Sequence, residues 1–142
     1  MKKFLVITTI DKVNDRIRTL LSDCTKNNTK LVIIGDRKSP KDFNLENSTY
    51  LSIDNQFDLK FDYIKKCPEN SYARKNIGYL YCMANKAEII YETDDDNEVL
   101  DNFFTLKPLK KNVKFIENTG WTNIYKFFSS ELIWPRGFPL DE

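Results

Sequence analysis

Two short groups of polar residues in the middle of the chain are suited to binding a diphosphate through a metal ion. The first group lies in the opening turn of an expected helix and consists of Arg74, Lys75 and Asn76. The second group follows an apolar run and consists of Asp94, Asp95 and Asp96. Cations at a helix N-terminus are unfavourable unless an anion sits there, and adjacent carboxylates repel one another unless a cation or water relieves them. A divalent ion that bridges the carboxylates to phosphate oxygens satisfies both groups, so the sequence predicts a metal and diphosphate site.

The acidic run has an alternative interpretation as a solvated turn, because Asx side chains bond their own backbone and tolerate unusual dihedral angles. Its position directly after the apolar run at 87–91 favours a site, since ligands of open α/β sheets bind at the carboxyl ends of strands. A calcium hand is excluded by the spacing. Counted from Asp94, the sixth position is Val99 rather than Gly, and the twelfth is Thr105 rather than Glu.

Backbone alternation indicates which of these side chains face a bound ion. Successive side chains of an extended segment point to opposite sides, so Asp94 and Asp96 are the predicted ligands of Mn²⁺ or Mg²⁺, with Asp96 nearest the chemistry. Asp95 is predicted to contact the nucleotide part of the ligand. Arg74 offers a planar fork and Lys75 a point charge for phosphate oxygens. The alternative for these two cations is a solvated first turn.

Length and composition describe a single domain that spans 1–142. Hydrophobic residues make up 41% and charged residues 30% of the chain, which is typical of a globular protein and not of a disordered one. The formal net charge of +1 argues against nucleic-acid binding through bulk charge. Three widely spaced cysteines without any histidine argue against a zinc site and indicate reduced thiols.

The sequence shows no targeting signal and no membrane span. The apolar run at 4–7 is too short for a signal peptide and is followed by Thr8 and Thr9. No apolar stretch approaches the ~20 residues needed to cross a bilayer. These features predict a soluble, cytoplasmic protein, and they leave open whether it forms a homo-oligomer.

The first third of the chain has the pattern of a βαβ unit. Runs rich in β-branched residues at 4–10 and 30–34 are typical of strands buried on both faces of a parallel sheet. Between them, the apolar spacing from Val13 to Cys24 predicts an amphipathic helix. The expected fold class is therefore α/β, with a three-layer, Rossmann-like arrangement and a mainly parallel sheet.

A short third strand is expected at 50–53, and an irregular connection with one helical turn at 54–68. Ser71 is the expected N-cap of a second helix. The 3.6-residue period predicts that this helix buries four side chains, namely Ile77, Leu80, Tyr81 and Ala84. The strand at 87–91 then leads into the acidic run.

Residues at the ends of the predicted strands should be neighbours in space, because the carboxyl ends of parallel strands meet at one edge of a sheet. These residues are Thr8, Thr9, Asp36 and the aspartates. Asp36 is suited to bind a base or ribose, and its alternative role is to begin the loop after Gly35. Arg136 lies between Pro135 and Gly137 and is either a functional cation or an arginine that bridges loops.

Five blocks of the sequence together resemble the STELLO-like glycosyltransferase family, whose members are nucleotide-sugar transferases of the GT-A fold. These blocks lie at 32–36, 40–42, 70–81, 91–97 and 134–140. The resemblance implies a GT-A type nucleotide-sugar-binding fold, in which an Asp-x-Asp motif holds Mn²⁺ or Mg²⁺ on the diphosphate of the donor. It further implies transfer from a nucleotide-diphosphate sugar, most simply a UDP-sugar, to a sugar or glycan acceptor.

The Arg-Gly-Phe-Pro segment that begins at Arg136 is also similar to the reversibly glycosylated polypeptides, which act as UDP-sugar mutases. That resemblance implies a role for Arg136 as a sugar acceptor or leaving-group partner. A third hypothesis is a nucleotide-sugar-binding protein without catalytic activity.

GT-A enzymes carry an acceptor-binding half after the metal motif, whereas the present chain stops at Glu142. We therefore expect a fold that is short of the usual acceptor half. Transfer with inversion needs a general base to deprotonate the acceptor hydroxyl. Asp141 is the candidate for that role, provided that the terminus folds back.

Overall fold

The computed structural model describes residues 1–105, 112–113, 115–117 and 119–140. The chain divides into two compact units, Met1–Thr105 and Leu106–Glu142, which are described separately below. Organisation as a single domain over 1–142 stays a prediction.

The first unit is built on a four-stranded parallel sheet. Its strands are β1 (Lys3–Thr8), β2 (Thr29–Ile34), β3 (Ser48–Leu51) and β4 (Ile89–Glu92). They lie in the order β3-β2-β1-β4, and every neighbouring pair is parallel. The predicted parallel α/β sheet is confirmed.

Helices connect the strands of the first unit. α1 (Asp15–Lys26) joins β1 to β2, and α4 (Lys75–Ala84) leads to β4 after a 3₁₀ turn at Tyr72–Arg74. The connection after β3 was predicted to be irregular with one helical turn, and the structure shows more helix than that. It contains two short helices, α2 (Ile53–Asp58) and α3 (Asp62–Lys66), of which α2 begins because the Ser52 side chain caps it by accepting a hydrogen bond from the Asn55 amide.

Successive side chains of the central strand β1 point to opposite faces of the sheet. Leu5 and Ile7 are fully buried in a core that includes the apolar stripe of α1. Phe4 and Val6 point to the opposite face and pack in a second core with Cys82 of α4. Helices thus cover both faces, which confirms the predicted three-layer, Rossmann-like architecture.

The buried face of α4 is rotated relative to the predicted stripe. Ile77, Gly78 and Cys82 face the interior, whereas Ala84 is exposed. Gly78 is the physical reason: a Cβ at this position would lie 2.5 Å from Val6 Cγ1, so the missing side chain allows the helix to approach the sheet closely.

The second unit contains a 3₁₀ turn at Ile124–Phe127, which Asn123 caps by accepting a hydrogen bond from the Tyr125 amide. The Asn123 amide also donates to the Ile133 carbonyl oxygen at 2.8 Å. Of the helices in the described ranges, none is long and apolar enough to cross a membrane.

Candidate functional site

The strand order creates a topological switch point beside β1. The chain proceeds from β1 to β2 and β3 on one side and then returns to place β4 on the other side. In open α/β sheets ligands bind at the carboxyl edge next to such a reversal. A cleft of about 220 Å³ opens at that edge. Five residues singled out from the sequence line it: Thr8, Thr9, Asp36, Arg74 and Asp95.

The floor of the cleft is held by hydrogen bonds between the ends of β1 and β2. The Thr9 amide donates to the Ile34 carbonyl oxygen at 3.3 Å. Ser39 ties the following loop to β1, since its hydroxyl donates to the Thr9 carbonyl oxygen and accepts from the Asp36 amide, both at 2.6 Å. These hydrogen bonds tie the two strand ends and the loop after β2 together.

Asp36 organises the loop that precedes the 3₁₀ turn. Its two carboxylate oxygens accept hydrogen bonds from the amides of Asn70 at 2.9 Å and Ser71 at 3.0 Å, and one of them also accepts from the Arg37 amide at 2.7 Å. Carboxylate oxygens retain further acceptor capacity towards a ligand. The geometry shows a structural role for Asp36, which holds the loop at 70–71 through backbone amides. Its contact with a base or ribose stays a prediction.

Arg74 is the charged group most deeply buried in the wall of the cleft. Its residue exposure is 1%. The guanidinium donates from Nε to Gln56 Oε1 at 3.0 Å and from a terminal nitrogen to the same oxygen, and it donates to the Cys67 carbonyl oxygen at 3.5 Å. In the described part of the chain no carboxylate lies within 4.0 Å of it. The positive charge of Arg74 is therefore held in place by neutral partners.

Gln56 is the residue that sequence reasoning missed. It is fully buried and donates from Nε2 to the carbonyl oxygens of Gly35 and Leu51, each at 2.8 Å, while Oε1 accepts from Arg74. Gln56 lies on α2, in a segment that was predicted to be irregular with one helical turn. The Ser52 cap was the available signal for this helix, but no local pattern links position 56 to position 74.

Lys75 points away from the cleft, although it follows Arg74 directly. Adjacent residues of a helix face directions about 100° apart, so the two cations do not converge on one ligand. The Lys75 ammonium donates to the Thr93 carbonyl oxygen at 3.1 Å and to Asp94 Oδ1 at 2.7 Å. Its assignment to phosphate stays a prediction, while its visible partners lie at the end of β4.

The three aspartates are dispersed by the turn that they form. Asp95 lines the cleft, the half-exposed Asp94 side chain pairs with Lys75, and Asp96 is exposed. Across the described ranges, no three acidic or cysteine side chains gather closely enough to hold a metal ion by themselves. The assignment of Asp94 and Asp96 as metal ligands stays a prediction.

Tyr79 lies behind the acidic turn and donates a hydrogen bond to the Glu92 carboxylate. Burial, reinforced by this hydrogen bond and by the charges of Glu92 and Asp94, raises the pKa of the Tyr79 phenol. The phenol therefore stays protonated at neutral pH and acts as a hydrogen-bond donor at the last residue of β4.

Within the first unit, Asn76 is not among the residues that line the cleft. Asn76 is exposed and donates from its amide to the Tyr63 hydroxyl at 3.1 Å. Arg136 belongs to the second unit, where it is exposed in a turn closed by a 3.0 Å hydrogen bond from the Phe138 amide to the Pro135 carbonyl oxygen. Asp141 lies outside the described residues.

Comparison with known proteins identifies two relatives in Arabidopsis thaliana. The chain is 28% identical to "Probable glycosyltransferase STELLO1" over 153 aligned positions, which cover 99% of this chain and 20% of that protein. It is 31% identical to "Probable glycosyltransferase STELLO2" over 125 positions, which cover 79% of this chain and 16% of that protein. The resemblance to the STELLO-like glycosyltransferases is thereby confirmed, and the chain spans at most a fifth of the length of these relatives. No family model matches the chain.

Proposed function

We propose that the chain is the donor-binding part of a glycosyltransferase that takes a nucleotide-diphosphate sugar, with the diphosphate held in the cleft at the carboxyl edge of the sheet. A UDP-sugar is the first donor class to test, and a sugar or glycan hydroxyl is the acceptor. The similarity to two proteins named as probable glycosyltransferases supports glycosyl transfer.

The observation that carries this proposal is the buried, positively charged Arg74. Removing a guanidinium from water costs several kcal/mol unless an opposite charge or a full set of hydrogen bonds compensates it. A guanidinium has five N–H donors. Arg74 forms three hydrogen bonds with described residues, and the acceptors of all three are neutral. A diphosphate in the adjoining cleft would supply the negative charge that these neutral acceptors do not carry.

The acidic turn supports metal-dependent binding of the donor. Mg²⁺ and similar ions in nucleotide sites use one or two carboxylates and complete their shell with phosphate and water oxygens. Asp95 lines the cleft that also contains Arg74, and Asp94 and Asp96 flank it in the turn. A carboxylate in the lining of the cleft fits an ion that completes its shell with diphosphate oxygens, for which Mn²⁺ and Mg²⁺ are the candidates.

Transfer joins the acceptor oxygen to the anomeric carbon, with loss of the hydroxyl proton to a base, and breaks the bond between that carbon and the diphosphate oxygen. Negative charge then develops on the leaving diphosphate. Arg74 would stabilise that charge at a fixed position, because its guanidinium is already oriented by Gln56. A bound divalent ion would supply Lewis-acid neutralisation of the same charge. Asp141 is retained as the candidate base for the acceptor hydroxyl.

A panel of radiolabelled nucleotide sugars tests this function. In the presence of Mn²⁺, we expect label from one donor to move to an added sugar or glycan acceptor, and we expect Asp95→Asn to reduce the transfer. Saturable donor binding without any transfer would instead assign the chain as a nucleotide-sugar-binding protein. A wild-type chain that binds no nucleotide sugar at all would contradict the proposal.

The position of Arg136 favours a second candidate function, self-glycosylation of the mutase type. Arg136 is exposed in a turn in which the following residue, Gly137, has a φ of 81°. The left-handed conformation is readily adopted by glycine, so the turn presents Arg136 on a defined backbone. Label retained on the protein and lost in Arg136→Lys would identify this function, whereas label on a free acceptor identifies the transferase.

A further inference from the structure

The end of β4 and the acidic turn after it are tied to one buried ammonium group. The Lys75 side chain is 10% exposed and lies in the first turn of α4. Its Nζ contacts three consecutive residues: Glu92 Oε1 at 3.7 Å, the Thr93 carbonyl oxygen at 3.1 Å and Asp94 Oδ1 at 2.7 Å.

The turn itself has only long internal hydrogen bonds among the described residues. The Asn97 amide donates to the Asp94 carbonyl oxygen at 3.4 Å, and the Asn97 side chain donates to the Thr93 hydroxyl at 3.4 Å. These distances exceed the usual range for an N–H···O hydrogen bond. The contacts from Lys75 are shorter and carry charge, so they are the stronger restraints on the path of the chain.

Asp95 follows the residue that Lys75 holds. While Asp94 Oδ1 is bound to Lys75, Asp95 lines the cleft, as Thr8 and Arg74 do. The charge of Asp94 is at the same time compensated by an ammonium 2.7 Å away. The carboxylate that remains available to a ligand in the cleft is that of Asp95.

We propose that Lys75 is a positioning residue, which clamps Asp94 and thereby presents Asp95, and not Asp94, to the bound diphosphate and its cation. This inference rests on the proposed function, because it assigns the ligand-facing carboxylate of the same site. It replaces the expectation from backbone alternation, which made Asp94 and Asp96 the facing pair.

Calorimetric titration with UDP, with and without Mn²⁺, tests the inference on five variants: Lys75→Met, Lys75→Arg, Asp94→Asn, Asp95→Asn and the Lys75→Met/Asp94→Asn double variant. Lys75→Met and Asp94→Asn should each weaken Mn²⁺-dependent UDP binding by roughly tenfold, and the double variant should lose no more than either single variant, since both remove one contact. Lys75→Arg should restore most of the affinity. Asp95→Asn should abolish the Mn²⁺ dependence.

Urea unfolding of the same variants without metal separates positioning from general stability. The Lys75–Asp94 pair should show coupling in a double-mutant cycle, and Asp95→Asn should unfold like the wild type. If Lys75→Met keeps UDP affinity within twofold of a wild type that binds in a Mn²⁺-dependent manner, the inference alone is overturned. The inference alone is also overturned if Asp94→Asn abolishes the Mn²⁺ dependence of UDP binding while Asp95→Asn retains it. A wild type that binds no UDP overturns the proposed function and the inference with it.

Discussion

Replacement of Gln56 by leucine should destabilise the first unit strongly, although leucine is similar in size and the position is fully buried. The substitution removes the acceptor of two hydrogen bonds from the Arg74 guanidinium. It also removes the donor to the carbonyl oxygens of Gly35 and Leu51. The Leu51 carbonyl oxygen keeps a hydrogen bond from the Gly35 amide at 2.9 Å. The loss of the Gln56 donor therefore affects the Gly35 carbonyl oxygen most.

The expected magnitude follows from these contacts. Hydrogen bonds to a charged group contribute about 1.5–3 kcal/mol, and a buried carbonyl left without a partner costs about 1–3 kcal/mol. We therefore expect Gln56→Leu to lower the free energy of unfolding by about 4 kcal/mol, which corresponds to a fall in Tm of roughly 15–20 °C for a unit of this size. Such a loss is a large fraction of the total stability of an ordinary domain.

Urea denaturation followed by far-ultraviolet circular dichroism measures this loss directly. Asp58→Leu is the matched control, because Asp58 is an exposed residue of the same helix, and its free energy of unfolding should change by no more than about 0.5 kcal/mol. A loss below about 1 kcal/mol for Gln56→Leu, with an unchanged m-value, would show that Gln56 does not hold the buried guanidinium.

Three further predictions concern the framework of the fold. Gly78→Ala should destabilise by about 1 kcal/mol in urea denaturation, because overpacking against the stiff Val6 side chain outweighs the gain in helix propensity; an unchanged or higher midpoint would contradict close packing of α4. Asn14→Ala should cost about 1 kcal/mol by the same assay through loss of the α1 cap, and Asn14→Ser should recover most of it. Burial raises the pKa of the Cys24 thiol from 9.0 to about 12, so its contribution to stability should be complete below pH 9 and lost between pH 9 and about 12. Cys24→Ala should show a shallower decline of the unfolding free energy over that interval.

The sheet and its layers followed from the sequence because their signals are local. β1 and β2 are continuous β-branched runs, and the spacing in α1 matches the helical period. The edge strand β3 was shifted by two residues, because Ser52 starts a helix where the apolar pattern continued. Where a helix cap competes with a strand pattern, tertiary packing decides which of the two elements forms.

The edge of the sheet at which these residues meet was predictable, and their contacts were less so. The rule for strand ends brought Thr8, Asp36 and Asp95 to one edge of the sheet, as the structure shows. Alternation did not carry into the acidic turn, because β4 ends at Glu92 and the pleat of a strand no longer applies beyond it. The contact of Lys75 with Asp94 joins residues on different elements, which no periodicity reveals.

The central claim is that the cleft beside Arg74 binds a diphosphate, and the ratio of UDP affinity to uridine affinity tests it most directly. This ratio does not depend on the fraction of folded protein in each sample, so it tolerates a destabilised variant. In the presence of Mn²⁺ we expect the wild type to prefer UDP by roughly 100-fold or more, and we expect Arg74→Met to reduce that preference by roughly tenfold or more. Equal affinities of the wild type for UDP and uridine, or a preference that Arg74→Met leaves unchanged, would contradict the account.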